Sequence, residues 1–119
     1  MKLGRGLVVL GSAILLLLAA LHALSYGTVG GEIAKSNLPS FLAGGFRGLY
    51  LVFSAQLVIL SILFVLLAWK PGGKTLLLLA SMIPLAEFLV IAPFMGWFFG
   101  TELLAAGTAC LLVGALLLH

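Results

Sequence analysis

Charge is what this chain has least of. Of its 119 residues only Glu32, Glu87 and Glu102 are acidic and six are Lys or Arg, so 8% are charged, whereas an ordinary soluble domain carries about 25%. Acids this sparse form no paired-carboxylate motif of the kind that acid–base enzymes need. Cysteine is rarer still: Cys110 stands alone, which excludes an intrachain disulfide and any CxxC metal or redox site. H-E-x-x-H and G-x-S-x-G are missing too, and "GTVGGE" lacks the Lys and Ser/Thr of a phosphate loop. The basic residues are scattered rather than massed, which argues against a nucleic-acid partner.

What is present is apolar. Hydrophobic residues make up 64% of the chain and its mean hydropathy is +1.36. A soluble fold this short has too little interior to hide that surface. A spanning helix needs about 20 mostly apolar residues, because each rises ~1.5 Å across a hydrocarbon core ~30 Å thick. Four segments meet the requirement: residues 6–24, 46–69, 75–98 and 102–118. Unpaired backbone groups cannot face lipid, and no run alternates as barrel strands do. The expected fold is all-α, one four-helix transmembrane bundle over residues 1–119.

"MKLGR" followed by an apolar run resembles a secretory signal, and "ALS" at 23–25 resembles its cleavage site. The run from Leu7 to Leu24 exceeds the usual ~7–15 residues of such a core. The segment is therefore read as a permanent first span. Lys2 and Arg5 precede it, and Lys70 and Lys74 frame the "KPGGK" turn between the second and third spans, whereas the turn before the fourth has no Lys or Arg. The positive-inside rule then predicts both termini in the cytoplasm. His119 falls on the cytoplasmic side, away from His22.

The longest connection, residues 25–45, lies outside by this topology. Its five glycines and Pro39 predict an irregular path. It serves either as a simple return loop or, through "PSFLAGGF", as a lid over a cavity between the helices.

Polar groups within the spans are the candidate site. His22 lies near the outer end of the first span, Arg47 opens the second, and Glu87 sits ~15 Å from the outer end of the third. A lone carboxylate at that depth is costly, so Glu87 must be protonated, paired or wet. An inward-pointing Arg47 is its expected counter-ion, with snorkelling to headgroups as the alternative. Arg47, Tyr50, Ser54 and Ser61 form one semi-polar stripe, and Gln56 points to nearly the opposite side, toward a different neighbour or a self-association surface. Pro84 and Pro93 bracket Glu87 and are expected to kink the third span there. His22 has no second ligand at a fixed spacing, so neither metal nor haem is expected, and no cofactor is implied. Tyr26, Trp69, Trp97 and Phe98 fit interfacial belts.

Small residues give the packing faces. Gly107, Cys110 and Gly114 share one stripe of the fourth span, and Gly4 and Gly11 share one on the first, so both faces admit a close neighbour.

R-x-x-Y at Arg47 and Tyr50, opening the second of four spans after a Gly-containing outer loop, resembles a family of small four-helix bacterial inner-membrane proteins classed as a domain of unknown function. Leu51 and Val52 replace the two glycines that follow the tyrosine in that family, and the resemblance implies no activity. The chain has the size of small multidrug resistance transporters but no acid in its first span, where theirs is essential. The expected function is binding of a membrane lipid or a partner membrane subunit. The alternative is a proton-coupled carrier working as a homo-oligomer through Glu87, and a third reading is a membrane-embedded enzyme on a lipid-linked substrate.

Overall fold

The computed structural model describes residues 2–118, so the expectation for His119 lies outside the described residues. The chain is helical throughout: α1 (Lys2–Leu24), α2 (Tyr26–Lys35), α3 (Ser40–Trp69), α4 (Lys74–Met95) and α5 (Phe99–Leu116), with no strand among the described residues. All but α2 are long and apolar enough to cross a membrane. The protein is a helical membrane protein with four spans.

The connection between the first two spans departs from expectation. Residues 26–35 form α2, and α3 begins at Ser40 rather than at 46, which leaves only Ser25 and residues 36–39 of the connection outside helix. The physical reason is backbone satisfaction: beside a membrane, helix gives each N–H and C=O a partner without water, and this outweighs the ~1 kcal/mol that glycine costs per helical position. Gly30 is the buried residue of α2, and it lets α2 lie close to α3. A 30-residue α3 runs ~45 Å at ~1.5 Å per residue, longer than the ~30 Å hydrocarbon core. Its first turns are the platform on which α2 packs.

The other helix ends have local causes. Gly72 and Gly96 adopt φ values of 72°, the left-handed region that only glycine enters without strain. Gly96 closes α4 with its N–H on the Ala92 carbonyl at 2.8 Å, so Trp97 and Phe98, expected inside the third span, lie past its end. Phe98 N–H donates to Thr101 Oγ1 at 3.0 Å, and the Thr101 hydroxyl donates to the Gly96 carbonyl at 2.9 Å. That cap starts α5 three residues ahead of the expected Glu102. At the opposite end, α1 takes in Lys2 and Arg5.

Helix α1 is the centre of the bundle, packed against both α3 and α5; α4 packs on α5 and touches α3 more sparingly. Lipid tails are as apolar as leucine, so burial itself drives little association here, and close packing must hold the helices together. Phe64, Leu15, Leu57, Leu77, Leu104 and Leu111 are fully buried. The closest approach is the antiparallel α1–α5 seam. A methyl group at Gly114 would sit 2.8 Å from the Gly4 carbonyl oxygen, and one at Gly11 would sit 2.8 Å from the Gly107 carbonyl oxygen. Gly4 thus faces Gly114 and Gly11 faces Gly107, a register held over two turns, with the half-buried Cys110 beside Gly11.

Candidate functional site

The side chains singled out by sequence fall into two separate groups. The first joins the end of α1 to α3. His22 Nε2 lies 3.0 Å from the Tyr50 carbonyl oxygen; a carbonyl can only accept, so Nε2 carries the hydrogen. The imidazole also stacks on the Tyr50 ring, with centroids 3.7 Å apart and planes 21° from parallel, and it touches Phe53 at 4.8 Å. Ser25 returns the connection: its hydroxyl donates to the His22 carbonyl at 2.8 Å and accepts from the Tyr50 hydroxyl. Histidine donates to tyrosine's backbone while tyrosine reaches histidine's backbone through Ser25. The loop closes on itself and leaves only Nδ1 of the imidazole as a spare acceptor.

Arg47 stands one turn before Tyr50 but faces α2. A methyl group at Gly30 would lie 3.7 Å from Arg47 Cδ and 3.6 Å from the Tyr26 ring. Tyr26 in turn stands 6.2 Å from the Tyr50 ring, centroid to centroid. The aliphatic stem of Arg47 against Gly30 and the Tyr26–Tyr50 ring pair bring α2 against α3.

The second group lies between α3 and α4. Gln56 Nε2 donates to Glu87 Oε1. Glu87 Oε2 is buried with no hydrogen-bond partner. The expected pairing of Arg47 with Glu87 is therefore not formed: one carboxylate oxygen belongs to Gln56 and the other to nothing. The reason is geometric, since Arg47 and Gln56 are nine positions apart on α3 and occupy different faces and depths. At ~1.5 Å per residue Glu87 lies ~12 Å from the end of α4 at Met95, well inside the apolar layer.

Surroundings sharpen the contrast between the groups. Glu87 shares its helical stripe with Ile83, Val90 and Phe94, and Gln56 shares its own with Val52, Ile59 and Leu63, all of them exposed. Of the four spans, α4 is the least covered by the rest of the bundle. Pro84 is buried and Pro93 exposed within a continuous α4, and neither the groove beside Val9, Ser12 and Val58 nor the cavity around Arg5 and Lys74 borders Glu87. Ser54 is buried, and its hydroxyl is unpartnered, as is that of Ser12. No set of three or more His, Cys, Asp or Glu converges among the described residues.

Ser25 was the functional neighbour that sequence reading passed over. Its signal was present in "HALSY", where the serine sits three residues after His22, the spacing at which a hydroxyl reaches back to a carbonyl at a helix end. The chain matches no known family model, no curated protein and no solved structure at significant similarity.

Proposed function

We propose that this protein works by binding within the membrane rather than by catalysis, and that the partner subunit it binds is a second copy of itself, engaged through the α3–α4 seam. The observation that carries this reading is the buried, unpartnered Oε2 of Glu87. A polar atom left unsatisfied in hydrocarbon costs several kcal/mol, because neither water nor lipid can serve it. The seam holds both halves of a remedy. Gln56 has two amide hydrogens and spends one on its own Glu87; the second can serve a neighbour's carboxylate once that side chain turns its buried Oε2 out of the seam. A patch carrying a spare donor and a spare acceptor is self-complementary, which a two-fold symmetric interface requires. The exposed apolar stripes on either side supply the packing.

The positive-inside count and the four-span layout support both termini on the cytoplasmic side, and a bacterial inner membrane is the location we propose. The R-x-x-Y resemblance to small four-helix inner-membrane proteins agrees with that location and adds no activity. Native mass spectrometry in a gentle detergent tests the reading through subunit number: two copies are expected, and a monomer under all conditions that keep the protein folded contradicts it.

One observation favours a second reading, proton-coupled transport. In such a dimer two carboxylates would face each other at mid-depth, each between two prolines, an arrangement suited to exchanging a proton for a substrate. This reading predicts that Glu87→Gln abolishes proton flux in liposomes while the dimer persists. Unchanged flux in that variant removes it.

A further inference from the structure

The end of the bundle remote from α2 gathers most of the positive charge, and it does so around a cavity. Arg5 enters from α1, Lys70 from the end of α3 and Lys74 from the start of α4, together with Trp69 and Leu118, about a space of about 260 Å³. Two of the three cations are held in place. Arg5 Nε donates to the Ala68 carbonyl at 3.2 Å, and its guanidinium lies 5.6 Å from the centroid of the Trp69 ring. Lys74 Nζ donates to the Leu116 carbonyl at 3.2 Å. Both side chains thereby cap the carbonyl ends of helices, α3 and α5, where cations are favoured.

Capping uses few of their donors. An arginine offers five N–H groups and a lysine three, and among the described residues each makes a single hydrogen bond. Lys70 is exposed, and among the described residues its ammonium makes none. The α4 N-terminus, which begins beside Lys70, has no side-chain cap, so first-turn amides add to the positive potential. No acidic side chain answers it among the described residues: Glu32 lies in α2, Glu102 opens α5 at the far end, and Glu87 is ~20 Å along α4 from Lys74. Topology alone asks for lysines and arginines on this side of the membrane. It does not ask that three from different helices converge on one cavity over a tryptophan.

We propose that this cavity binds the phosphate of an anionic phospholipid headgroup in the leaflet that the chain's charges assign as cytoplasmic. The guanidinium, beside the Trp69 ring and bonded to Ala68 through Nε alone, keeps its other N–H groups for paired bonds to two phosphate oxygens. The ammonium groups of Lys70 and Lys74 supply point charges. Leu67, Pro71 and Leu118 give the wall an apolar side, and the half-exposed Trp69 stands at headgroup level, where the glycerol of a bound lipid passes into the acyl layer. A free phosphate ion satisfies the cations but leaves that wall uncovered. The site is independent of the α3–α4 seam and stands or falls without it.

The test uses the full chain in neutral detergent, with phosphatidylglycerol or phosphatidylcholine of identical acyl chains added, and bound lipid counted by native mass spectrometry. One phosphatidylglycerol per chain is expected to be retained in preference to phosphatidylcholine. Lys70→Gln, which removes no hydrogen bond of the fold, should weaken that retention roughly fivefold, the loss typical of one basic residue near an anionic headgroup. Lys74→Gln should weaken it similarly, while Lys2→Gln, at the same end but outside the cavity lining, should leave it unchanged. Inorganic phosphate should not displace the lipid. Equal retention of the two lipids, equal losses in Lys2→Gln and Lys70→Gln, or displacement by inorganic phosphate would each overturn the assignment.

Discussion

Gln56 and Glu87, 31 positions apart in sequence, meet across the α3–α4 seam through one hydrogen bond that uses one oxygen of the carboxylate and leaves the other buried without a partner. Coupling between them should be measurable by a double-mutant cycle with Gln56→Leu and Glu87→Leu, followed by unfolding in detergent. Polar bonds between membrane helices average ~0.6 kcal/mol and reach ~1.7 kcal/mol, so a coupling in that range is expected. Gln56→Leu alone should cost more than the double substitution, since it strands the carboxylate with neither oxygen bonded. Additive effects would show that the pair does not interact.

The α1–α5 seam predicts a graded glycine series. At Gly114 an added methyl meets backbone on two sides, the Gly4 carbonyl oxygen at 2.8 Å and the Val8 nitrogen at 2.9 Å. Backbone cannot move aside, so Gly114→Ala should destabilise by about 1–3 kcal/mol. At Gly107 the nearest atom is Leu15 Cδ2, at 2.8 Å, the end of a side chain that can swing, and Gly107→Ala should cost less. Gly6 meets nothing within 4 Å, so Gly6→Ala should be neutral or stabilise by up to ~1 kcal/mol through helix propensity. Thermal unfolding of the three variants side by side checks the order; equal effects would contradict the seam.

The His22–Tyr50–Ser25 loop predicts a structural rather than a ligand-binding phenotype. Tyr50→Phe keeps the ring stack and deletes the hydroxyl, at an expected cost of about 0.5–1.5 kcal/mol. Tyr50→Leu removes the stacking as well and should cost more, by about 0.5–1.5 kcal/mol, the worth of an aromatic pair beyond its area. Limited proteolysis between α1 and α3 should accelerate in the same order. Unchanged proteolysis in both variants would show that the loop does not hold these helices.

These particulars show what the sequence could reveal. Four spans and the tight turn at 70–73 were legible because spanning length and turn chemistry are local properties. The glycine stripes on α1 and α5 were legible as faces, since helical periodicity is local too, but their facing register came only with the fold. The partners of Glu87 were not legible. Periodicity put Arg47 and Gln56 on nearly opposite sides of one helix, yet which side meets α4 depends on how four helices are arranged, and charge complementarity favoured the wrong one. The glycine-rich connection misled for a related reason: turn propensity assumes water to satisfy the backbone, and beside a bilayer helix wins.

Symmetric pairing through the α3–α4 seam is tested most directly by disulfide cross-linking in native membranes. Val90→Cys, one turn from Glu87 on an exposed stripe, is placed in a Cys110→Ala background and oxidised. A covalent dimer is predicted, reduced roughly eightfold in equilibrium yield by Glu87→Leu if two symmetry-related bonds of ~0.6 kcal/mol each are lost. No dimer, or a dimer whose yield ignores residue 87, would contradict the proposal that Glu87 joins two copies of this chain.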